Sequence, residues 1–301
     1  MHIPDGFLAT PVWLSLDLLA APVSGWLARR AERGLSEGMA PRLGVLGAFV
    51  FAAQMINFPV AAGTSSHLIG SALLAAILGP AAAALVMTAI LALQALVFQD
   101  GGLLALGANV TNMALAGVLA ASIPLRYWPG RVGLLLAGVA SVFTASSLAI
   151  VELRLSGVAM SEGLLRGALA VFAVSALLEG FITLAVAEAL ERLQPGWIET
   201  GRAGGGGERR LLAALGAMAV VLASAGALLA SSLPDGLEKL AESLGIAGRA
   251  QALLPTPFAE YDWQGAPHPA AGKVAAGLAG LVLIYAATRI LVKLMSGRGA
   301  R

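Results

Sequence analysis

Cysteine is absent from this chain of 301 residues, and charged residues make up only 12% of it. Without cysteine the chain has no disulfide, no thiolate metal site, no c-type haem attachment and no cysteine nucleophile. Soluble proteins contain about 25% charged residues, so too little polar surface is available here to coat a particle that faces water. Because hydrophobic residues make up 58% of the chain, the sequence predicts an all-α integral membrane protein.

Nine apolar runs are candidates for membrane-spanning helices, which need about 20 apolar residues each. The predicted spans are residues 10–28, 43–62, 67–79, 80–98, 103–123, 131–151, 164–190, 211–233 and 271–292. The third run is short and only Gly79-Pro80 separates it from the fourth, so residues 67–98 form either two spans or one broken helix. No strand-like alternation is long enough to build a barrel.

Basic residues predict the orientation, because short cytoplasmic loops carry an excess of Arg and Lys. An extracytoplasmic N-terminus and a cytoplasmic C-terminus put fourteen basic residues on the cytoplasmic side and five on the outer side. The fourteen are Arg29, Arg30, Arg33, Arg42, Arg126, Arg131, Arg192, Arg202, Arg209, Arg210, Arg289, Lys293, Arg298 and Arg301, and the five are Arg154, Arg166, Lys239, Arg249 and Lys273. A single span over 67–98 would invert every later loop.

The polar stretch that contains Gly204 to Gly207 divides the chain by composition. We expect a seven-span helical bundle over 1–195, a cytoplasmic Gly/Arg-rich linker over 196–210, and a two-span unit over 211–301 with an extracytoplasmic loop. In that loop, Ser232 or Asp235 is predicted to cap a short helix over 237–244, which Gly245 ends. No basic segment precedes the first apolar run, so the mature protein is expected to begin at Met1.

The first two residues can form a metal chelate. The terminal amine of Met1, the amide nitrogen of His2 and the imidazole Nδ1 of His2 can close adjacent five- and six-membered rings around one cation. Three nitrogens in one plane leave one position open, and a planar nitrogen set suits Ni(II) or Cu(II) better than Zn(II). Because binding releases protons, acid should weaken it.

The fourth nitrogen has few sources, since His2, His67 and His268 are the only histidines. His67 follows Gly63-Thr64-Ser65-Ser66 at the outer end of the second span, on the same side as the N-terminus, so it is the favoured partner of His2. The alternative is that His2 is a solvated residue at the chain terminus and that His67 is a polar residue at a helix interface. His268, between two prolines in the outer loop, is either a solvated residue or an aid to metal capture.

Several polar residues in or beside the spans are candidates for support of such a site. They are Gln54, Asn57, Thr64, Ser66, Gln94, Gln99, Asp100 and Asn109. Acceptors that bond the second ring nitrogen of a ligating histidine orient its imidazole, whereas the alternative is that these side chains only hold helices together. Glu179 lies in the middle of a span and is paired, protonated or beside a cavity; the sequence does not decide.

Three segments resemble one family. Met1 to Leu8, the stretch from Asn57-Phe58-Pro59-Val60 to Gly63-Thr64-Ser65-Ser66-His67-Leu68, and the stretch from Gln94 to Asn109 are similar to the CbiM/NikM family. Those proteins are substrate-capture (S) components of energy-coupling factor transporters for cobalt and nickel, and the resemblance covers about 1–195. Pro234 to Glu238 resembles the PDGLE element of the accessory CbiN/NikN-type partner. The chain thus resembles a fused MN protein.

The resemblance implies a metal site on the amine of Met1, the amide and imidazole nitrogens of His2, and His67. It also implies a multi-pass protein of the cell (inner) membrane that transports Ni(II) or Co(II) and has no permanently bound cofactor. The resemblance is compatible with either ion, and the planar nitrogen set favours Ni(II) over Co(II). The implied partners are a transmembrane coupling (T) protein, ATPase subunits, the divalent ion and membrane lipid, without nucleic acid. The role of Pro234 to Glu238 and the stoichiometry stay open.

The chain itself is not expected to hydrolyse ATP or to be an enzyme. It has no Gly-x-x-x-x-Gly-Lys-[Ser/Thr] phosphate loop, because Gly204 to Gly207 lacks the lysine and hydroxyl. Three alternatives stand beside the nickel importer: a cobalt importer component for cobalamin synthesis, a membrane metalloprotease, and a membrane metal sensor or scaffold without transport. The absence of His-Glu-x-x-His disfavours the protease.

Overall fold

The computed structural model describes residues 1–32, 39–200 and 206–296, and helices dominate it. The helices are α1 (Thr10–Glu32), α2 (Ala40–Gln54), α3 (Ser71–Leu78), α4 (Pro80–Leu93), α5 (Leu106–Asn109), α6 (Val118–Tyr127), α7 (Arg131–Leu155), α8 (Glu162–Leu193), α9 (Trp197–Thr200), α10 (Gly206–Val221), α11 (Ala227–Leu229), α12 (Gly236–Ser243) and α13 (Pro269–Ser296). π-helical turns extend α4 over Gln94–Phe98, join α5 to α6 over Val110–Gly117 and join α10 to α11 over Leu222–Gly226. Strands β1 (Phe58–Ala61) and β2 (Thr64–Ser66) form an antiparallel hairpin.

Within the described residues, seven helical stretches are long and apolar enough to cross a membrane. They correspond to seven of the nine predicted spans, so the all-α, multi-pass membrane class is confirmed. Large apolar side chains on their outer faces are exposed, as Leu18 and Trp26 are on α1. Apolar side chains that are exposed in this way suit lipid rather than water.

The predicted second span, 43–62, is wrong in its second half. Helix α2 ends at Gln54, and the chain then turns into β1 and β2. Pro59 has no amide hydrogen to donate to a helix, and Gly63, at φ 70°, makes the reversal between the strands. A helix of 15 residues is about 22 Å long, which is less than the roughly 30 Å hydrocarbon core.

Residues 67–98 form two antiparallel stretches rather than one broken helix. Gly79 separates α3 from α4 at φ 73° and ψ 164°, a backbone conformation that glycine alone adopts readily. The side-chain amide of Gln54 is hydrogen-bonded to the residues before α3 and after α4. Its Nε2 donates to Ile69 O (2.7 Å), and its Oε1 accepts from Gln94 Nε2 (2.9 Å). The start of α3 and the end of α4 therefore lie close together, although α3 has only eight residues.

The described ends of the predicted linker, 196–210, are helical. Trp197, in α9, is fully buried, and the Arg42 guanidinium lies 4.4 Å from its ring centre. Helix α10 already begins at Gly206, so helical residues occupy both described ends of the predicted linker. The basic residues Arg33, Arg202, Arg298 and Arg301, and the glycines Gly204 and Gly205, lie outside the described residues.

Helices α10 and α13 pack against α2, which joins the C-terminal unit to the bundle. Their outer connection contains α12, which Asp235 caps: its Oδ1 accepts from Leu237 N (2.7 Å) and Glu238 N (2.8 Å). Glu238 completes the capping box by accepting from Asp235 N (2.8 Å). Of the two predicted caps, Asp235 is thus the one that acts, and Gly245 follows the helix with a positive φ of 70°.

Candidate metal centre

The first residues of the chain are buried at one end of the bundle. Ile3 is fully enclosed, and the side chain of Asn109 fixes its main chain: Ile3 N donates to Asn109 Oδ1 (2.8 Å) and Asn109 Nδ2 donates to Ile3 O (3.0 Å). Gly102 N also donates to Ile3 O at 2.9 Å. These bonds hold the two residues that precede Ile3 in one place.

Asp5 anchors the N-terminal segment from its other side. Its carboxylate accepts hydrogen bonds from Leu103 N (2.9 Å), Leu104 N (2.8 Å) and Ala105 N (3.1 Å). A Cβ on Gly102 would overlap the same carboxylate, so this close approach requires glycine. The Gln94–Asn109 stretch thus holds the N-terminal segment in place through hydrogen bonds to Ile3 and Asp5.

The amine of Met1 lies in hydrogen-bond contact with His67 Nε2. His67 Nδ1 is 3.0 Å from Leu68 O. Since a carbonyl oxygen only accepts, Nδ1 carries the hydrogen and Nε2 turns its lone pair toward the amine, which is the tautomer that a metal ligand requires. The ring of His2 is parallel to that of His67 within 5°, with 5.4 Å between the ring centres. The structure therefore brings together the three residues that the sequence pairs.

His2 differs in one respect from the predicted chelate. Its Nδ1, the nitrogen that closes the chelate ring, lies 2.9 Å from Asp100 Oδ1. Its Nε2 is buried and has no hydrogen-bond partner in the described part of the chain. An ion at this site would therefore take the place of the Asp100 contact at Nδ1, or the ring would turn over.

Burial and charge shift the pKa values of the groups around the amine. Burial, with the positive charge of the amine, lowers the pKa of His67. Burial raises the pKa of Asp100, but the charge of His2 and its hydrogen bond outweigh this, so the pKa lies below the usual range. The pKa of Asp235 is likewise well below its usual range, because the amine and His67 outweigh the effect of burial. The site thus combines a neutral imidazole with ionised carboxylates.

Asp235 is a site residue that the sequence reasoning missed. Its Oδ2 lies 2.6 Å from the Met1 amine and 3.7 Å from His67 Nε2. Ser65 N donates to Pro234 O at 2.8 Å, which places the segment against β2. The sequence pointed to Asp235 only as a helix cap, and the PDGLE resemblance was the signal that could have brought it to the site.

Tyr261 is a second residue that the sequence did not indicate. Its hydroxyl donates to Asp100 Oδ2 and accepts from Gln94 Nε2 at 2.9 Å. Its ring stacks on Phe98, with 5.0 Å between the ring centres. Both Tyr261 and Glu260 have a positive φ, 58° and 52°, a conformation that costs free energy in residues other than glycine. The outer loop is thus strained where it reaches Asp100.

The other predicted supporting residues fall into two groups. Gln94 and Asn109 border the site through Tyr261 and Ile3, and Gln54 lies behind Gln94. The remaining residues lie at the contact with the C-terminal unit or beside it: Gln99 Nε2 donates to Leu254 O, Asn57 O accepts from Ser231 N, and Thr64 and Ser66 are buried in β2 on either side of Ser65. His268 is exposed at the edge of the outer loop.

Glu179 is paired with main-chain donors. Its carboxylate accepts from Ile69 N and Gly70 N, both at 2.8 Å. These two residues follow His67 closely, so Glu179 fixes the backbone from which that imidazole projects. Of the states that the sequence left open, pairing with the backbone is the one observed.

Side chains alone do not make a metal site here. In residues 1–32, 39–200 and 206–296, no group of three or more His, Asp or Glu side chains is arranged to hold an ion. The nearest further nitrogen to His67 Nε2 in the contacts above is the buried amine of Met1.

The sequence matches two family models. Residues 2–197 match CbiM, described as the cobalt uptake substrate-specific transmembrane region, and residues 209–297 match the PDGLE domain. The chain belongs to the CbiM family. It is therefore a component of the nickel and cobalt transport family to which these models and relatives belong.

Relatives of this CbiM-family chain include fused proteins. It is 35% identical over 296 residues to the "Putative fused nickel transport protein NikMN" of Archaeoglobus fulgidus, an alignment that covers 95% of this chain and 96% of that one. It is 32% identical over 206 residues to the "Cobalt transport protein CbiM 1" of Pelobacter propionicus, covering 64% and 91%. A crystal structure of a transition metal transporter aligns with a TM-score of 0.49 and 28% identity, covering 64% of this chain and 93% of that chain.

Proposed function

We propose that this chain captures Ni(II) or Co(II) at the outer face of the membrane and is the S component of an ATP-driven energy-coupling factor importer. The ligands are the amine of Met1, the amide and imidazole nitrogens of His2, and His67 Nε2. Residues 1–195 form the metal-binding unit, 196–210 the connection, and 211–301 an accessory unit that docks on it. The names of the relatives, which include nickel and cobalt transport proteins, support this assignment.

One observation carries the proposal: the buried amine of Met1 contacts the lone-pair nitrogen of His67 while the His2 ring lies parallel beside it. This amine and this neutral imidazole lie in contact at a buried position. They can therefore occupy two adjacent coordination positions of an ion that has four nitrogen ligands in one plane. Carbonyl support at Nδ1 of His67 is the arrangement found behind ligating histidines. The planar set favours Ni(II), and Co(II) is the second candidate because the matching family model is named for cobalt uptake.

The proposed orientation puts this site outside the cell membrane and the C-terminus in the cytoplasm. Helices α7 and α8 support it, because Arg131 at the start of α7 pairs with Glu188 near the end of α8, at the bundle end opposite His67. The basic ends of α1 and α6 lie at that same end by chain direction. Cytoplasmic loops carry such an excess of positive charge.

The proposed partners are a transmembrane coupling protein and ATPase subunits. A relative in Methanocorpusculum labreanum, 40% identical over 126 residues, is named "Putative fused cobalt transport protein CbiMQ", and this chain covers 21% of it. A fusion of that kind is consistent with a larger assembly in which the metal-binding unit is one part.

Uptake of radioactive nickel by cells tests this function. We expect ATP-dependent accumulation only when the chain is expressed with its coupling protein and ATPases. A peptide tag in front of Met1 should abolish uptake, because the amine is then an amide, whereas the same tag after Arg301 should leave uptake intact. Full uptake by the N-terminally tagged chain would contradict the proposal, and binding without accumulation in the presence of all partners would indicate a sensor or scaffold.

A further inference from the structure

The C-terminal unit, residues 211–301, places a carboxylate of its own inside the proposed metal site. The Asp235 side chain is only 10% exposed, and its Oδ2 faces the Met1 amine at 2.6 Å and His67 Nε2 at 3.7 Å. These contacts join distant parts of the chain. They exist only while the outer loop of the C-terminal unit is seated on the bundle.

The two carboxylate oxygens of Asp235 make different contacts. Oδ1 caps α12 by accepting from Leu237 N and Glu238 N. A helix cap needs one acceptor oxygen, and serine or asparagine provides it as well as aspartate does. Capping therefore does not account for Oδ2, which is directed at the two nitrogen ligands.

The segment around Asp235 is held on both sides. Ser65 N donates to Pro234 O at 2.8 Å, and Ser65 Oγ donates to Leu233 O at 2.7 Å. After Asp235, Gly236 lies so close to α8 that an added Cβ would be 2.8 Å from Phe172 Cε1. The position of Oδ2 is therefore fixed by the docking of the segment and not by the amine alone.

Charge gives Oδ2 a function. When a divalent ion binds, the amine releases its proton to solvent and the ion brings two positive charges, so the buried site stays positively charged. A buried charge is stable only when it is paired. Asp100 provides one negative charge on the His2 side of the site. Asp235 provides the other on the side of Met1 and His67, so each of the two units contributes one carboxylate.

We infer that Asp235 Oδ2 completes the metal site as the counter-charge beside Met1 and His67, so that the site reaches full affinity only when the C-terminal unit is docked. Asp235 acts through the ligands and is a positioning residue. Tyr261 of the same loop holds Asp100, so the C-terminal unit orients both carboxylates. This inference rests on the proposed function and adds to it the role of the PDGLE segment.

Calorimetric titration of the purified full chain with NiCl2 tests the inference. Asp235→Asn and Asp235→Ser both keep a cap for α12 but remove the charge at Oδ2. We expect Ni(II) affinity to fall about 10- to 100-fold in both, as it does when a partner of a metal ligand is removed. The visible absorption band of bound Ni(II) should also shift, which a change in stability alone would not cause.

Two controls separate charge from structure. Glu242→Gln removes one negative charge from the same helix, where Glu242 is exposed and pairs with Lys239, and should leave affinity unchanged. Glu238→Ala breaks the other half of the capping box while leaving Oδ2 in place. A loss of affinity with Glu238→Ala as large as with Asp235→Asn would overturn the inference, because α12 would then matter only as a fold element.

His67→Ala separates the two levels of the proposal. If wild type binds Ni(II), His67→Ala does not, and Asp235→Asn matches wild type in affinity and spectrum, the inference is wrong and the proposed function stands. If wild type fails to bind, or His67→Ala binds as wild type does, the proposed function itself is wrong.

Discussion

His67 joins the end of the hairpin to the chain terminus and lies beside the C-terminal unit. Its Nε2 contacts the Met1 amine and lies near Asp235, while its Nδ1 bonds the main chain. Glu179 fixes the two residues after Leu68. If His67 is a ligand as proposed, a side chain held from so many sides loses little freedom when the ion arrives, and it should bind more tightly than a mobile histidine would.

Replacement of His67 by alanine should lower Ni(II) affinity by more than about 100-fold, since removal of a ligand costs more than removal of its outer partner. Calorimetric titration of the purified chain measures this. His268→Ala is the matched control, because His268 is exposed at the edge of the outer loop, and it should bind as wild type does. Equal affinity of the two variants would show that His67 is not a ligand.

The pKa of His67 gives a prediction about pH. Burial and the charge of the amine lower this pKa below the ordinary value of about 6.5. Folding thus favours the neutral ring, so stability from this group is present above pH of about 6.5 and is lost as the pH falls through the folded-state pKa. Nitrogen NMR of the metal-free protein should show a neutral His67 ring at pH 6.5. A midpoint at or above that pH would contradict the burial seen here.

Residue types near the chain terminus could be predicted from the sequence, but their contacts could not. The chelating capacity of Met1 and His2 is a property of adjacent residues, and His67 followed from the short supply of histidines. Asp235 and Tyr261 reach the site through docking of a loop that is distant in the chain. No local pattern reports such docking, so both were missed as site residues.

At the scale of elements, the turn at Gly79 ends α3 after eight residues, although the sequence predicted a membrane span over 67–79. Hydrophobicity also could not show where α2 ends, because the apolar run over 43–62 continues past Gln54 into β1. The capping signal at Asp235 was readable, since a cap depends on neighbouring residues. Features that depend on neighbouring residues, such as the helix cap, could thus be predicted from the sequence. The position of a helix end relative to the membrane could not.

Gly79→Ala should destabilise the protein by about 1–3 kcal/mol, the cost of a non-glycine residue in that backbone region. An added Cβ at Gly79 meets nothing within 4 Å, so the loss would come from backbone strain and not from a clash. Thermal unfolding in detergent measures it. Gly216→Ala in α10, which also has open space around it, is the control and should not destabilise. Equal melting of both variants would contradict the strained turn.

At the scale of the whole molecule, one end of the bundle contains the proposed metal site and the other end contains basic residues. The buried amine, His67 and the outer loop lie at one end, and the basic ends of α1 and α6 and the start of α7 lie at the other. Helix α8 crosses the whole bundle, with Glu162 at one end and Arg192 near the other. This one helix therefore reports the orientation of the protein.

The natural absence of cysteine makes that orientation measurable. Glu162→Cys and Arg192→Cys place single thiols at the two ends of α8, at side chains that are 86% and 83% exposed. A maleimide that cannot cross membranes should label position 162 in intact cells and position 192 only after the cells are opened. The reverse pattern would put the proposed metal site in the cytoplasm and contradict uptake from outside.

The position of nickel in crystals of the loaded protein tests the central claim most directly. Anomalous diffraction at the nickel edge should give one strong peak between the Met1 amine and His67 Nε2, within bonding distance of both and of nitrogen from His2. A peak at another place in the molecule, or nickel bound without the terminal amine, would contradict the account.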